Sequence, residues 1–477
     1  MRFKNSEKGG ETVKKALFIV MALVLAVSVS LIGCTGEGEE GPTPSETIVL
    51  AASVSLTGPL ADIHNSAKGP IVAAYVAQNP TIKVGDTTFN VEVEYLDDES
   101  SLDKMLENTD TIIDGIQAGT YHVLLGPSCT AFLEAQAVKA TSGKVVQMTF
   151  EGGATSLFDK LDQYGYSFIN LSFSNWFQIP VLAKMLAEVK EEGDSAYIGY
   201  QNDDHGLEYK AQAEKYFAKE GIPIDGSRAM TPGEGSSGTD DLVAKAKTAG
   251  SEILCLFGYP EFVFIVHTSA IAASYDPKAV ILGPGACFGV YDNIMNTEHS
   301  NGVMTFATAN NKTSARTATL FNEQLACPPG PGPIYCQDFW GHPCYWTAMD
   351  FIYAGLKAKG SDNDGAGFTI DQKALRSYLA SAKINSVFGE TWYVTPSVVL
   401  GATDYSWTDA QLKSPVPSGY AGLVNYKCHT GEIGQWQDGY MEIVGYDGIG
   451  ETGDEYGLTN YVVTASLVYP KPSWLPE

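Results

Sequence analysis

Two carboxylates and an imidazole stand side by side at Asp203-Asp204-His205, directly after the apolar run Ala196 to Gln201. As acid and base they could serve hydrolysis of an amide or ester. That chemistry also needs a nucleophile, and the chain has no G-x-S-x-G elbow and no serine in a recognisable nucleophile setting. The three residues therefore read as the polar rim of a pocket. Gly233-Glu-Gly235-Ser-Ser-Gly238 satisfies the spacing of a dinucleotide fingerprint, with Glu252 about twenty residues on. A fingerprint follows an apolar strand, whereas Arg228 to Pro232 is polar and broken by proline. The segment reads instead as the entry to a helix capped by Thr239 or Asp240. Asp362-Asn-Asp364-Gly-Ala-Gly367 opens like a calcium loop, yet Lys373 occupies the place of the bidentate carboxylate. The seven histidines include no pair one helical turn apart, and there is no C-x-x-C, so neither a metal nor a cofactor is expected.

What remains is a set of polar loops with small residues and hydroxyls. Ser53 to Ala61, Gly126-Pro-Ser128-Cys-Thr130 and Gly152-Gly153-Ala154-Thr155-Ser156 each follow a short apolar run and precede a helical stretch. Free backbone N–H groups at the mouth of a helix hold a carboxylate or similar acceptor, and open α/β sheets bind ligands at the carboxyl ends of their strands. The elements that place these loops alternate as parallel βαβ units do. Strands are expected at 48–54, 89–96, 123–125 and 145–150, with helices at 66–78, 101–118 and 131–142. A second series follows a break near Asn170, with helices at 177–191, 208–220, 240–249 and 262–273 and strands at 196–201, 253–257 and 279–282. Two similar α/β lobes in tandem are predicted. Beyond Asn301 the pattern loosens, with helices at 345–359 and 371–382 and an irregular aromatic stretch at 392–417.

Among the 477 residues, 44% are apolar, and 56 acidic face 30 basic side chains for a net charge of −26, which excludes wholesale disorder and disfavours nucleic acid as a partner. Lys14 and Lys15 precede an apolar run from Ala16 to Ile32 that ends in Leu31-Ile32-Gly33-Cys34, too short to span a membrane and shaped as an export signal. The ending resembles the bacterial lipoprotein signal, in which the cysteine, here Cys34, is lipidated. Residues 1–33 are then a discarded signal, and 34–45, without apolar side chains beyond the cysteine, a flexible tether. The expected location is extracytoplasmic, at a bacterial membrane. Removing the first 33 residues, with five basic and two acidic side chains, takes the balance to −29. Cys327, Cys336 and Cys344 surround a Pro/Gly-rich segment, and one disulfide among them is expected to clip an inserted loop.

Ser55-Leu-Thr57-Gly58-Pro59, Asp97-Asp98, Gly126-Pro-Ser-Cys-Thr130, Gly153-Ala154-Thr155, Asp203-Asp204-His205-Gly206, Gly258-Tyr259-Pro260-Glu261 and Gly283-Pro284-Gly285 together, in this order, resemble the branched-chain amino-acid binding proteins of ABC importers. The likeness runs well over 47–310 and loosely beyond. It implies two doubly wound parallel-sheet lobes joined by three crossings, the type I periplasmic binding fold, with lobe 1 at 46–168 plus 300–388 and lobe 2 at 169–299 plus 389–477. It further implies that Thr130 and Thr155 give hydroxyls to a ligand carboxylate, helped by Ser128 and the N–H groups of Gly153 and Ala154. Ile63 and His64 wall the pocket, while His205 and Tyr259 face it from lobe 2. An ABC permease would be the membrane partner. Amino-acid binders place an acid at the position of Gly285 to pair with the ligand ammonium. A buried ammonium without a partner costs several kcal/mol, so among the expected ligands, an amino acid, a carboxylate or an amide, the α-amino acid is disfavoured unless Asp203, Asp204 or Glu261 substitutes.

Three functions are compatible with these residues: a transport receptor, a sensory binding protein reporting to a separate membrane partner, and an extracytoplasmic hydrolase using His205 with Asp203 or Asp204. A sensor fused to its own membrane segment would need a C-terminal spanning helix, and Tyr456 to Glu477 does not provide one. The absence of a nucleophile leaves the first as the expectation, with no enzymatic activity.

Overall fold

A computed structural model describes residues 47–61, 64–127, 129–149, 160–170, 174–231, 234–324, 337–362, 367–394, 415–424, 432–445 and 462–475. The expected signal peptide, the tether and Cys34 lie outside these residues. So does most of the irregular stretch 392–417.

The first series begins with β1 (Thr47–Val54), whose apolar run is buried from Leu50 onward. A π-helical turn (His64–Lys68) leads into α1 (Gly69–Gln78), which starts on a proline in its first turn. A hairpin, β2 (Thr81–Val84) with β3 (Thr87–Asp97), follows. Next come α2 (Leu102–Ala118), capped by the Ser101 hydroxyl, and β4 (Val123–Leu125). The series continues with α3 (Thr130–Gly143), β5 (Gln147–Thr149) and β6 (Ser167–Ile169). The second series repeats the scheme with α4 (Ser174–Val189), β7 (Ala196–Gln201), α5 (Asp204–Lys219), β8 (Ile224–Met230), α6 (Gly235–Ala249), β9 (Ile253–Gly258), α7 (Pro260–Ala272), β10 (Ala279–Pro284), α8 (Gly289–Ser300) and β11 (Met304–Phe306). The chain closes with α9 (Ala315–Thr319), α10 (His342–Lys359), β12 (Gly360–Asp362), β13 (Phe368–Ile370), α11 (Gln372–Leu379), β14 (Lys383–Ser386), β15 (Gly389–Val394), β16 (Gly422–Val424), β17 (Ile433–Gln437), β18 (Tyr440–Gly445) and β19 (Ala465–Ser466).

Two sheets result. One runs β14-β15-β16-β6-β5-β4-β1-β3-β2 and the other β19-β18-β17-β11-β10-β9-β7-β8. The runs β3-β1-β4-β5-β6 and β8-β7-β9-β10-β11 are parallel, and antiparallel pairs join β2-β3 and β14-β15-β16 in the first sheet and β11-β17-β18 in the second. The central strands are buried on both faces, which explains why they are apolar runs rather than alternations. Ile48, Leu50, Val123 and Leu125 are fully or almost fully buried with Ile71 and Val72 of α1, and each such side chain contributes about 2 kcal/mol by leaving water.

The sheets correct the expected lobe boundaries. β11 extends the second sheet past residue 300, and β15 and β16 belong to the first sheet, so the last crossing follows Val424 rather than residue 388. The physical reason is pairing: β16 lies parallel to β6 through Gly422 and Leu423, filling an edge that would otherwise be open. A second correction concerns α6. It begins at Gly235 after Glu234, so Thr239 and Asp240 lie inside it rather than capping it, and the Thr239 hydroxyl donates back to Ser236 O at 2.9 Å.

Arg376 of α11 fixes the returning segment. Its buried guanidinium donates to the carbonyls of Gly165 (2.9 Å), Pro417 (2.5 Å) and Tyr420 (3.0 Å), tying the approach to β6 to the approach to β16. Replacing Arg376 with Met strips three backbone carbonyls of their donor. It should cost about 3 kcal/mol of stability, read as a lower denaturant midpoint in equilibrium unfolding. An unchanged midpoint would show that this tie is dispensable.

Candidate functional site

In each sheet the first strand of the series lies between the second and third, β1 between β3 and β4 and β7 between β8 and β9. The loops at the carboxyl ends of β1/β4 and β7/β9 therefore diverge to opposite faces and leave a crevice, the switch point where such sheets take ligands.

On the first sheet, the Ser55-Leu-Thr57-Gly58 loop is held from below by the Asp97-Asp98 pair. Asp97 Oδ1 accepts from Leu56 N (3.0 Å) and Thr57 N (3.3 Å), and Oδ2 accepts from the Thr57 hydroxyl at 2.8 Å. These bonds hold the Asp97 carboxyl below its ordinary value despite some burial. The Ser55 hydroxyl donates to Asp98 Oδ1 at 2.6 Å. Burial pushes the Asp98 carboxyl up, opposed by its hydrogen bonds and by the charge of Lys68. These motif residues thus brace the loop.

Beside them, Lys68 is fully buried, and its Nζ donates to the carbonyl of Gly126 and to that of Pro127 (3.3 Å), at the carboxyl end of β4. His64 is buried against Tyr95 with ring centroids 4.7 Å apart, and neither His64 Nδ1 nor the Tyr95 hydroxyl has a hydrogen-bond partner. Burial, with the Lys68 charge, pushes the imidazole down to about 3, so it is neutral at physiological pH. Thr130 is buried at the first turn of α3, whose preceding Cys129 provides no side-chain cap. Thr149, at the end of β5, is fully buried, and its hydroxyl has no partner. It packs so closely that a Cβ on Gly126 would lie 2.9 Å from its Cα. The predicted contacts Ile63, Ser128, Gly153, Ala154 and Thr155 lie outside the described residues.

On the second sheet, Asp203 caps α5, its Oδ1 accepting from Gly206 N at 2.8 Å, and burial pushes its carboxyl up to about 6. His205 follows, buried, with its ring stacked on Tyr259 at 5.2 Å and 8°. Its Nε2 has no partner, and burial pushes the imidazole down to about 4. Gln201 holds the adjoining loop, its Oε1 accepting from Tyr259 N at 3.2 Å. Tyr259 also packs against Met105, Cys129 and Phe132, which belong to α2 and to the start of α3 on the first sheet. The structure thus brings Thr130 and His64 to one rim and His205 and Tyr259 to the other, with Tyr259 reaching across.

Gly285 differs from the expectation in kind. A Cβ there would lie 2.3 Å from Val263 Cγ2 and 3.1 Å from the backbone of Pro260, so the loop is closed to any side chain, an acid included. The inserted segment supplies a carboxylate to the same loop. Asp338 is fully buried, pairs through its backbone with Phe288, and accepts from the Cys287 thiol (3.4 Å) and from Trp340 N and Gly341 N (both 2.9 Å) on Oδ1, while Oδ2 has no partner. Burial pushes it up to about 6. Of the cysteines expected to clip this insertion, Cys344 is buried with its Sγ 3.8 Å from Trp340 O, and Cys327 and Cys336 lie outside the described residues.

Lys68, Thr149 and Asp338 escaped the sequence reading. One signal was present for Lys68, the only charged residue in the predicted helix 66–78. None marked Asp338, which reaches the site by a pairing distant in sequence.

The sequence profile of a family described as periplasmic binding protein matches residues 47–408. No curated protein matches the chain. Among solved structures, a solute-binding protein of an ABC transporter from R. palustris in complex with benzoate is similar at TM-score 0.61 and 14% identity, covering 90% of this chain and 97% of that one. The branched-chain amino acid substrate-binding protein LivJ from Streptococcus pneumoniae, in complex with isoleucine, is similar at TM-score 0.60 and 12% identity, with 83% and 97% covered. The leucine-binding protein LivK from Thermotoga maritima gives 0.59 and 12%, with the same coverage.

Gly285→Asp should not restore an acid to the cleft. Its Cβ displaces Val263 and the start of α7, so the variant should lose about 2–4 kcal/mol of stability, seen as a lower melting temperature. A variant as stable as wild type would show that the loop is open to a side chain.

Proposed function

The chain belongs to the periplasmic binding protein family, and on that footing we propose that it captures a small molecule bearing a carboxylate or amide between its two lobes and delivers it to an ABC importer. The observation that carries this reading is the pairing of two rims, each at a sheet's switch point and each bearing buried polar atoms without partners. Thr149 and His64 stand on one rim and His205 on the other, with Tyr259 spanning them. A buried hydroxyl or ring nitrogen left unpaired costs free energy that a ligand making the missing bond recovers. The ligand meets both rims only when the lobes approach, so binding shifts the hinge equilibrium, and the closed form is what a permease recognises.

In this reading Thr130, Thr155 and Ser128, with the backbone of Gly153 and Ala154, hold the acceptor end of the ligand. His64 and Ile63 wall the pocket, and His205 and Tyr259 cover it. The neutral imidazoles suit an uncharged or aromatic body. The protein binds without turnover, outside the cytoplasm, tethered through a lipidated Cys34. Gly285 itself has no room for an acid, and Asp338 on the same loop is buried with its Oδ1 taken by Cys287, Trp340 and Gly341, which supports a ligand without an α-ammonium.

Isothermal titration of the protein freed of its first 45 residues tests this with leucine, benzoate-type acids and short amides. A simple carboxylate or amide should bind at micromolar concentration or below. Leucine should bind at least about a hundredfold more weakly, the cost of a buried ammonium poorly matched. Leucine binding as tight as the best acid contradicts the ligand assignment.

A further inference from the structure

The inserted segment ahead of α10 does more than carry Asp338 to the Gly285 loop. Its last residues, Gln337 to Gly341, are bonded to lobe 2 along their backbone. Gly289 N, at the start of α8, donates to Gln337 O at 2.7 Å, and Phe339 N donates to Cys287 O at 3.1 Å, the two bonds flanking the bridge between Phe288 and Asp338. Phe339 O accepts from Thr308 N at 2.8 Å, and the Thr308 hydroxyl donates to Trp340 O at 2.9 Å, beside the second crossing. The buried Phe339 ring meets Trp436 of β17 edge to face, with centroids 6.0 Å apart.

The same residues start α10, which packs on α1, α11 and β2 of lobe 1. Asp338 Oδ1 accepts from Trp340 N and Gly341 N, both at 2.9 Å, His342 N donates to Asp338 O, and His342 Nδ1 accepts from Asp338 N, the last two at 3.2 Å. The turn from lobe 2 into the helix is therefore bonded at each step. One turn further along α10, Tyr75 of α1 lies edge-on to Trp346 (4.6 Å) and to Tyr353 (5.0 Å), and its hydroxyl donates to Asp350 Oδ1 at 2.7 Å. A bonded path without slack thus runs from Cys287 on lobe 2 to Tyr75 on lobe 1.

We propose that Gln337–Gly341 is a strap between the lobes, additional to the three crossings, which holds the cleft shut when no solute is bound. Opening carries α10 away with lobe 1 while residues 287–289 stay with lobe 2. Because the path has no slack, either the backbone bonds at Cys287 and Gly289 break or the turn at Asp338 to His342 unwinds. Each route strips buried polar groups of their partners, and the first also exposes the Phe339 ring. The inference goes beyond the proposed function, since it concerns the empty protein and holds whichever solute the cleft takes.

Gly289→Pro cuts one of the two backbone bonds and spares the helix. The N–H of a first helical residue has no partner inside the helix, and Phe288 already has the extended backbone (φ −89°, ψ 137°) that a following proline requires. Wild type and variant, dialysed free of solute, are compared by small-angle scattering and by hydrogen exchange at the Phe339 amide. The variant should have the larger radius of gyration, and its Phe339 amide should exchange at least about tenfold faster than in wild type. A folded variant with the wild-type radius and wild-type exchange overturns the strap. So does a solute-free wild type whose Phe339 amide exchanges as fast as an exposed one, and this measurement decides if the variant does not fold. No solute enters the experiment, so its failure leaves the proposed function standing, while titration with carboxylates and amides tests that function separately.

Discussion

One buried side-chain amide holds the two halves of this molecule in register. Gln178, on the helix that follows the first crossing between lobes, donates through Nε2 to Ala307 O (3.1 Å) and to Glu432 O (3.2 Å), which stand at the second and third crossings. All three connections therefore meet at one point. The loops bearing His64 and Thr130 on one side and His205 and Tyr259 on the other would travel farthest in the lobe rotation that the proposed function requires. The closing cleft of the proposed function is compatible with this constraint. Tyr259, packed on the cluster of Met105, Cys129 and Phe132, makes apolar contact between the lobes.

The electrostatics divide by distance. A formal charge of −26 surrounds the protein with a field that does not favour anions, but surface charges are screened beyond about 8–10 Å at physiological ionic strength. Among the described residues, the groups at the crevice lie close together. The two histidines are neutral because burial disfavours their charged forms, Asp98 is engaged by Ser55 and Ser100, and Lys68 stands at the loop of β4. At an effective dielectric of about 20, a unit charge 4 Å away is worth about 4 kcal/mol, so groups inside the crevice outweigh the screened shell.

Much of this was legible in the residues. The apolar runs at 48–54, 123–125, 196–201 and 253–257 became central parallel strands with bounds within a residue or so, because strands buried on both faces leave a continuous apolar signature. The Asp97-Asp98 pair and the Ser55-Thr57 loop were read together, and they are bonded together. Edge strands escaped: β8 alternates weakly and carries Asp225 and Arg228, and β14 to β19 are short and joined to their sheets by pairing with distant partners. The same non-locality moved the last crossing from residue 388 to after Val424 and hid Asp338, which reaches the cleft through its bridge to Phe288 and the bond from the Cys287 thiol. Gly285 shows the other limit. Its type was visible as a departure from an acid, but the reason, a helix start pressed against its Cα, lies in packing.

Diffraction from crystals of the protein purified from its native host without ligand exchange tests most directly whether a small molecule sits between the two switch points. The expected result is density for one small molecule contacting Thr130 or Thr149 on one lobe and His205 or Tyr259 on the other. A retained molecule bound by residues of one lobe alone, or on an outer face, would contradict it.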